Sequence, residues 1–254
     1  VKVLALLAAA AIASSASAAG QQWQPSMAAA VGYASHRDGV IAFAVRTPTR
    51  HWGWHSTEIF PSASVLKAML LVAYLDLPSV RARPLGPDDR ALLAPMIRRS
   101  DNAAAGRVLG IVGPERLRGL AHRAGMRRFT PVSGIWGLSR IDAADQARYF
   151  LRIDSLVAAR HRAYAMKLLN TITPGQRWGI ARVRPPGWRL YFKGGWGSGT
   201  GCVDHQVALL TRGDERVSVA ILTHLDGSHA YGEETLRGIA ERLLRGLGSA
   251  GEVG

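Results

Sequence analysis

The chain has 254 residues, 48% of them hydrophobic and 20% charged, which excludes a disordered polymer and is ample for one domain with a sizeable core. Its formal charge is +14, from 32 Lys and Arg against 18 Asp and Glu, and all but four of the basic residues (Lys2, Lys67, Lys167 and Lys193) are arginines dispersed along the chain. There is no zinc-finger spacing, RNP-like segment or polybasic block, so no nucleic-acid partner is expected, and the single cysteine, Cys202, excludes an internal disulfide and reads as a small buried apolar residue.

In chain order, Lys2 is followed by an apolar run from Val3 to Ala13 and small residues to Ala19, the form of a secretory leader with cleavage expected near Ala16-Ser17-Ala18. That run is too short to span a bilayer, and no later stretch is long and apolar enough. The reading is a leader at 1–19, then one domain at 20–254. Ala30 to Ser35 and Val40 to Thr47 flank Asp38-Gly39, a hairpin signal, and are expected as two antiparallel strands, with Trp52, Trp54 and His55 in the loop that follows. Val65 to Leu75 is apolar nearly all round, as in a central buried helix. Pro78, Pro84 and Pro87 mark a linker. Asp88 to Arg99 reads as helix, Ser100-Asp101-Asn102 interrupts it, and Ala103 to Leu109 resumes it. Pro114 opens a helix to Ala124. After a turn-rich loop, Phe129 to Ser139, Ser139 is the expected cap of a helix from Arg140 to Leu151, and Ala158 to Leu169 is helical again. Trp188 to Lys193, Val203 to Thr211 and Val217 to Thr223 read as strands, with Asp214 at the last turn and an amphipathic helix closing the chain from Tyr231 to Leu247. Two strands, many helices, three strands and one helix predict an α+β domain, with one antiparallel sheet and a helical lobe.

Three short motifs carry chemistry. Ser64 and Lys67 stand three apart at the start of the buried helix, hence on one face, near free N–H groups and the positive helix end. A serine needs a base to become a nucleophile, and a desolvated lysine has a lowered pKa that suits it to the task. The plainer alternative is a capping serine and a snorkelling lysine, but a charge inside Val65-Leu66-Lys67-Ala68-Met69-Leu70 needs a reason. In Ser100-Asp101-Asn102, Ser100 can shuttle a proton, and the Asn102 amide can donate to a substrate and accept from an ammonium. Asp101 orients the turn; a simple helix break with a cap is the alternative. Lys193-Gly194-Gly195 ends a strand where glycines let a substrate backbone approach, and Lys193 would add a second cation unless it is solvated on a surface turn. The N–H of Trp196, opposite that of Ser64, is the candidate second oxyanion donor, a contribution of roughly 3 kcal/mol per donor.

In this order the three motifs resemble those of class A beta-lactamases and penicillin-binding proteins. Glu58-Ile59-Phe60-Pro61 and the stretch from Trp136-Gly137 to Asp145 are also similar to segments of those enzymes, and the resemblance spans roughly residues 28 to 248. It implies a five-stranded antiparallel sheet with flanking helices, in an exported bacterial serine hydrolase that needs no metal or cofactor. Ser64 would form an acyl-enzyme, Lys67 would take a proton, and Ser100 would relay one to the leaving nitrogen. Asn102 would hold the substrate side-chain amide and Lys193 would assist with the substrate carboxylate. The implied partner is a beta-lactam, ester or peptidoglycan-derived substrate, with room for loose association of the basic surface with anionic wall polymers.

Two departures from the family pattern alter what is expected. The family places a glutamate for deacylation in its omega loop, whereas here the only glutamate between Asn102 and Lys193 is Glu115, at a helix start, and Phe129 to Ser139 holds no acid; Asp142 and Asp145 read as helix-start residues. Deacylation is therefore expected to be slow or differently catalysed. Gly194 stands where the family has a hydroxyl residue, leaving Ser198 or Thr200 as the candidate replacement and a substrate other than a standard penicillin as the expectation. His51 and His55 lack a metal-site pattern. Asp204 and His205 are adjacent on a strand and point to opposite faces, and His224 and His229 frame a turn near the sheet end. A D,D-peptidase, a catalytically weak binding protein of the same fold and a polyanion-binding protein stand as alternatives.

Overall fold

The computed structural model describes residues 23–248. The leader expected at 1–19 lies outside the described residues. The chain opens with helix α1 (Met27–Ala34), then strands β1 (Val40–Arg46), β2 (His51–Trp54) and β3 (Phe60–Pro61). A turn of 3-10 helix, Ala63–Val65, runs into α2 (Leu66–Leu75), followed by α3 (Pro78–Arg81), α4 (Pro87–Arg98) and α5 (Asn102–Ala124), which kinks at Gly113. Next come β4 (Arg140–Ile141), α6 (Ala143–Leu151), α7 (Ile153–Leu156) and α8 (Ala159–Asn170). The chain closes with β5 (Arg189–Gly197), β6 (Val203–Arg212), β7 (Glu215–His224) and α9 (His229–Leu243). Five strands form one antiparallel sheet in the order β2-β1-β7-β6-β5, and β3 pairs with β4 apart from it. The middle of β1, eight residues of β6 and seven of β7 are buried consecutively, as befits strands covered on both faces by helices.

The expected strand at Ala30 to Ser35 is instead α1. Its Ala-rich sequence favours helix, and Gly238 on α9 brings the backbone so close to the Tyr33 ring that no Cβ would fit. The Asp38-Gly39 turn therefore joins a helix to β1. Gly39, with φ +93, lies so near the His224 carbonyl that a Cβ there would sit 2.7 Å away. The true hairpin partner of β1 is β2, expected as loop; it starts after a turn closed by the Thr47 N–H donating to the Arg50 carbonyl at 2.9 Å.

The cap of α6 also differs. Ser139 does not cap it, because Arg140 and Ile141 are taken by pairing with Pro61 and Phe60. Asp142 caps instead, accepting from the Asp145 N–H at 2.7 Å. Its carboxyl pKa is pushed up to about 6 by burial. Asp145 accepts from the N–H groups of Arg127 and Arg128 and pairs with Arg148. Both acids thus serve the start of the helix, as read from the sequence. Cys202 is partly exposed rather than buried, because it occupies a left-handed turn, φ +52, leading into β6. Pro78 opens the short α3 and Pro87 opens α4, so two of the three linker prolines are helix starts.

Candidate active site

Helix α2 is buried along all ten residues, Lys67 among them. An ammonium there must find oxygen partners, and it does. Lys67 Nζ donates to the Ser100 carbonyl at 2.5 Å, to Ser100 Oγ at 3.1 Å and to Asn102 Oδ1 at 2.7 Å. Its pKa is drawn down to about 7 by burial, against the opposing field of Asp101. Lys193, fully buried on β5, donates to the same Ser100 Oγ at 3.1 Å and to the Gly194 carbonyl at 2.7 Å. Burial, and then repulsion from Lys67, holds its pKa well below the ordinary lysine range. Two amines, one from α2 and one from β5, therefore meet on one serine hydroxyl.

Residues of the three motifs lie together, with Lys67 and Lys193 both on Ser100. Asp101 caps α5 through the Ala104 N–H at 2.7 Å, which fixes the turn that presents Ser100 and Asn102. Ser64 lies in the 3-10 turn that enters α2 and lines a cleft of about 360 Å³ with Asn102, Trp136, Trp196 and Thr200. Among the described residues no hydrogen bond to Ser64 Oγ is found, so the hydroxyl faces the cleft uncommitted. Ala63 and Ser100 both have positive φ, +41 and +60, unfavourable for side chains of their size. Backbone strain is thus held on either side of the cleft floor.

The glycines of β5 have distinct reasons. A Cβ on Gly195 would lie 2.8 Å from the Ser64 nitrogen and 2.9 Å from the Val65 nitrogen, so only glycine lets the strand press against the mouth of α2. A Cβ on Gly194 would meet the Trp178 ring at 3.0 Å. A side chain at 194 would therefore require the indole to give by a few tenths of an ångström. Thr200 faces the cleft, its hydroxyl donating to the Gly197 carbonyl at 3.2 Å, and Ser198 begins the same turn of 3-10 helix.

The sequence pointed to Trp196 and, near the sheet end, to His229, but not to what Trp136 and Trp178 cover. The Trp136 ring stands 4.6 Å from Lys67 Nζ, a cation–π arrangement that covers the amine from the 129–139 loop. Ser62 Oγ holds that loop by donating to the Trp136 carbonyl at 3.2 Å. Trp178, Trp196 and His229 form a second cluster, with Trp196 and His229 stacked at 5.8 Å and Trp178 edge-on to both. His229 Nδ1 meets Asp204 Oδ1 at 2.6 Å, while His205 donates to the Pro61 carbonyl at 2.8 Å, so the adjacent acid and base do go opposite ways. Burial lowers His205 to about 4 and raises Asp204 to about 7. The only signal for these contacts was the tryptophan content around the motifs. His51 is exposed on β2, His55 stacks on Trp54, and Glu115 is exposed and paired with Arg118.

The fold is the α+β sandwich of the beta-lactamase/transpeptidase type. A beta-lactamase from Sphaerobacter thermophilus superposes with a TM-score of 0.76 at 20% identity, covering 90% of this chain and 98% of that one. One from Xanthomonas campestris gives 0.73 at 14% identity, covering 87% and 97%, and an ancestral class A beta-lactamase gives 0.70 at 16%, covering 84% and 96%. No curated protein matches the chain by sequence. The pattern that defines the Beta-lactamase enzyme family matches residues 84–247, and the chain belongs to that family. The matched span begins after Ser64, so the case for the nucleophile rests on geometry. Among the described residues no helix is long and apolar enough to cross a membrane.

Proposed function

We propose that the protein is a serine hydrolase that forms an acyl-enzyme at Ser64 and releases it slowly. The observation that carries this reading is the meeting of Lys67 and Lys193 on Ser100 Oγ, with Lys67 three residues after Ser64 where the chain enters α2. In this reading the neutral Lys67 amine takes the Ser64 proton as Oγ attacks the carbonyl carbon. The N–H groups of Ser64 and Trp196 receive the oxyanion. As the tetrahedral adduct collapses, Ser100 passes its proton to the leaving nitrogen or oxygen and is reprotonated from the lysine pair. Asn102 holds the substrate amide, and its carbonyl oxygen is already engaged by Lys67.

Slow release is supported by the lining of the cleft, which includes no carboxylate, and by Trp136 standing over the amine. The absence of a hydroxyl at Gly194 argues for a substrate other than a standard penicillin: an ester, an amide or a wall-derived peptide. A D,D-peptidase or penicillin-binding role shares every step through acylation. Residues 1–19, read as a leader, support an extracytoplasmic location.

Intact mass after incubation with a penicillin and with an activated ester tests the reading. The expected result is a persistent adduct on the native protein and none on Ser64→Ala. Rapid steady-state turnover without an adduct would overturn slow release, and an adduct on Ser64→Ala would overturn the nucleophile.

A further inference from the structure

The antiparallel register puts Trp196 beside Asp204 and brings Arg46 opposite Ser218, with Arg216 opposite Thr211, which in turn pairs with Arg189. The Ser64 cleft and the start of β7 therefore lie at opposite ends of the sheet. At that far end is a cleft of about 540 Å³ lined by Arg46, Arg148, Arg152 and Arg216, with Asp154 and Ser155 on its wall and Pro48 and Leu151 as its apolar strip. The arginines arrive from β1, from α6, from the residue after α6, and from β7.

Two of the four are already neutralised. Arg216 forks onto Asp154 at 2.6 and 3.0 Å and donates to the Leu151 carbonyl at 2.7 Å; Arg148 pairs with Asp145 at 2.5 Å. Arg46 and Arg152 have no acidic partner among the described residues. Arg46 is half-buried, and its pKa is lowered by burial and by the fields of Arg148 and Arg127, against a smaller opposing field from Asp145, which Arg148 already pairs. A desolvated guanidinium beside like charges is stabilised by an incoming anion, and its planar fork matches phosphate oxygens.

We propose that this cleft binds phosphate oxyanions, with Arg46 and Arg152 as the unneutralised donors and Arg148 and Arg216 as a prearranged rim. The volume exceeds that of a single tetrahedral oxyanion and suits two linked phosphate groups, and Pro48 and Leu151 match the carbon linkers of a phosphodiester chain. No aromatic residue lines the cleft, so nothing there stacks on bases, which favours a polymer without bases over a nucleic acid. A chain held here leaves the Ser64 cleft open at the other end of the sheet, and the proposal stands whether or not Ser64 is acylated.

The test is calorimetric titration at constant ionic strength with pyrophosphate, with poly(glycerol phosphate) and with a single-stranded oligonucleotide. The proteins are wild type, Arg46→Gln, Arg152→Gln and the exposed-arginine control Arg107→Ala, each checked for unchanged circular dichroism. Wild type is expected to bind pyrophosphate. Each cleft variant should lose at least about tenfold, the loss of one charge-assisted hydrogen bond, with Arg107→Ala unchanged. Tighter binding per phosphate by the polymer assigns the site to a chain, and equal binding assigns it to free phosphates. The proposal fails if wild type binds neither, or if Arg107→Ala loses as much as the cleft variants, the mark of diffuse charge. Oligonucleotide binding tighter than polymer and dependent on Arg46 would overturn the choice of ligand.

Discussion

The two walls of the Ser64 cleft contrast in what they offer a reaction. On the α2 and β5 side, Lys67, Ser100, Asn102 and Lys193 are joined by hydrogen bonds of 3.1 Å or less, on buried or strained backbone. On the side of the 129–139 loop, the lining is Gly134, Ile135, Trp136 and Gly137, with Ile135 62% exposed and no acid among them. The first wall gathers two desolvated amines, a hydroxyl and an amide around one point. The second is largely exposed and lines the cleft without a carboxylate. Burial thus acts on one side only: it draws the pKa of the Lys67 ammonium down to about 7, whereas the loop across the cleft stays largely open to solvent.

The sharpest way to break the comparison is to disable the first wall. Lys67→Met is expected to slow acylation by roughly 10²- to 10⁴-fold, the range for removing a general base, while circular dichroism shows a folded protein. Stopped-flow acylation with a chromogenic ester measures it. Next is the second wall: Trp136→Ala should shorten the acyl-enzyme lifetime by roughly tenfold, as the cover over a desolvated amine is worth up to about 2 kcal/mol. The decay of the intact-mass adduct reads this out, and an unchanged lifetime would show that Trp136 is not the barrier to water.

The hydrogen ion gives a third lever. With Lys67 near 7, acylation should rise from pH 6 to 8 as the ammonium becomes an amine. Stability should follow the same group with a definite sign. Its folded pKa lies below the unfolded value, so between about 7 and 10.5 the unfolded chain binds more protons and the unfolding free energy climbs with pH. Below about 7 both states hold the proton and Lys67 contributes no slope. Denaturant titrations of wild type and Lys67→Met should diverge over that window. A smaller effect is expected at the third motif. Gly194→Thr, driven against Trp178, should destabilise by about 1–3 kcal/mol, the usual cost of overpacking, and the further change Trp178→Ala should recover part of the loss.

Much of the reactive wall was legible in the sequence, because its residues sit at fixed spacings on single elements: Ser64 and Lys67 one turn apart, Ser100 to Asn102 at a helix start, and Lys193 to Gly195 on a strand. What was not legible depends on contacts between distant segments. Trp136 reaches Lys67 across 69 positions, and Trp178 fills the space above Gly194 from outside the sheet. The same limit misplaced two elements. Ala30 to Ala34 went to helix once α9 offered a glycine face, and β2 took the pairing that the Asp38-Gly39 turn had suggested for the segment before it. The arginine cleft was invisible for the same reason, since its four guanidinium groups span 171 positions and meet only after folding.

The fit of Trp178 against Gly194 ties the third motif to the segment that precedes β5. A side chain added at 194 must displace the indole by a few tenths of an ångström, and trimming the indole leaves space beside the strand. Substitutions at 178 and 194 are therefore expected to be non-additive, each changing what the other position can accommodate.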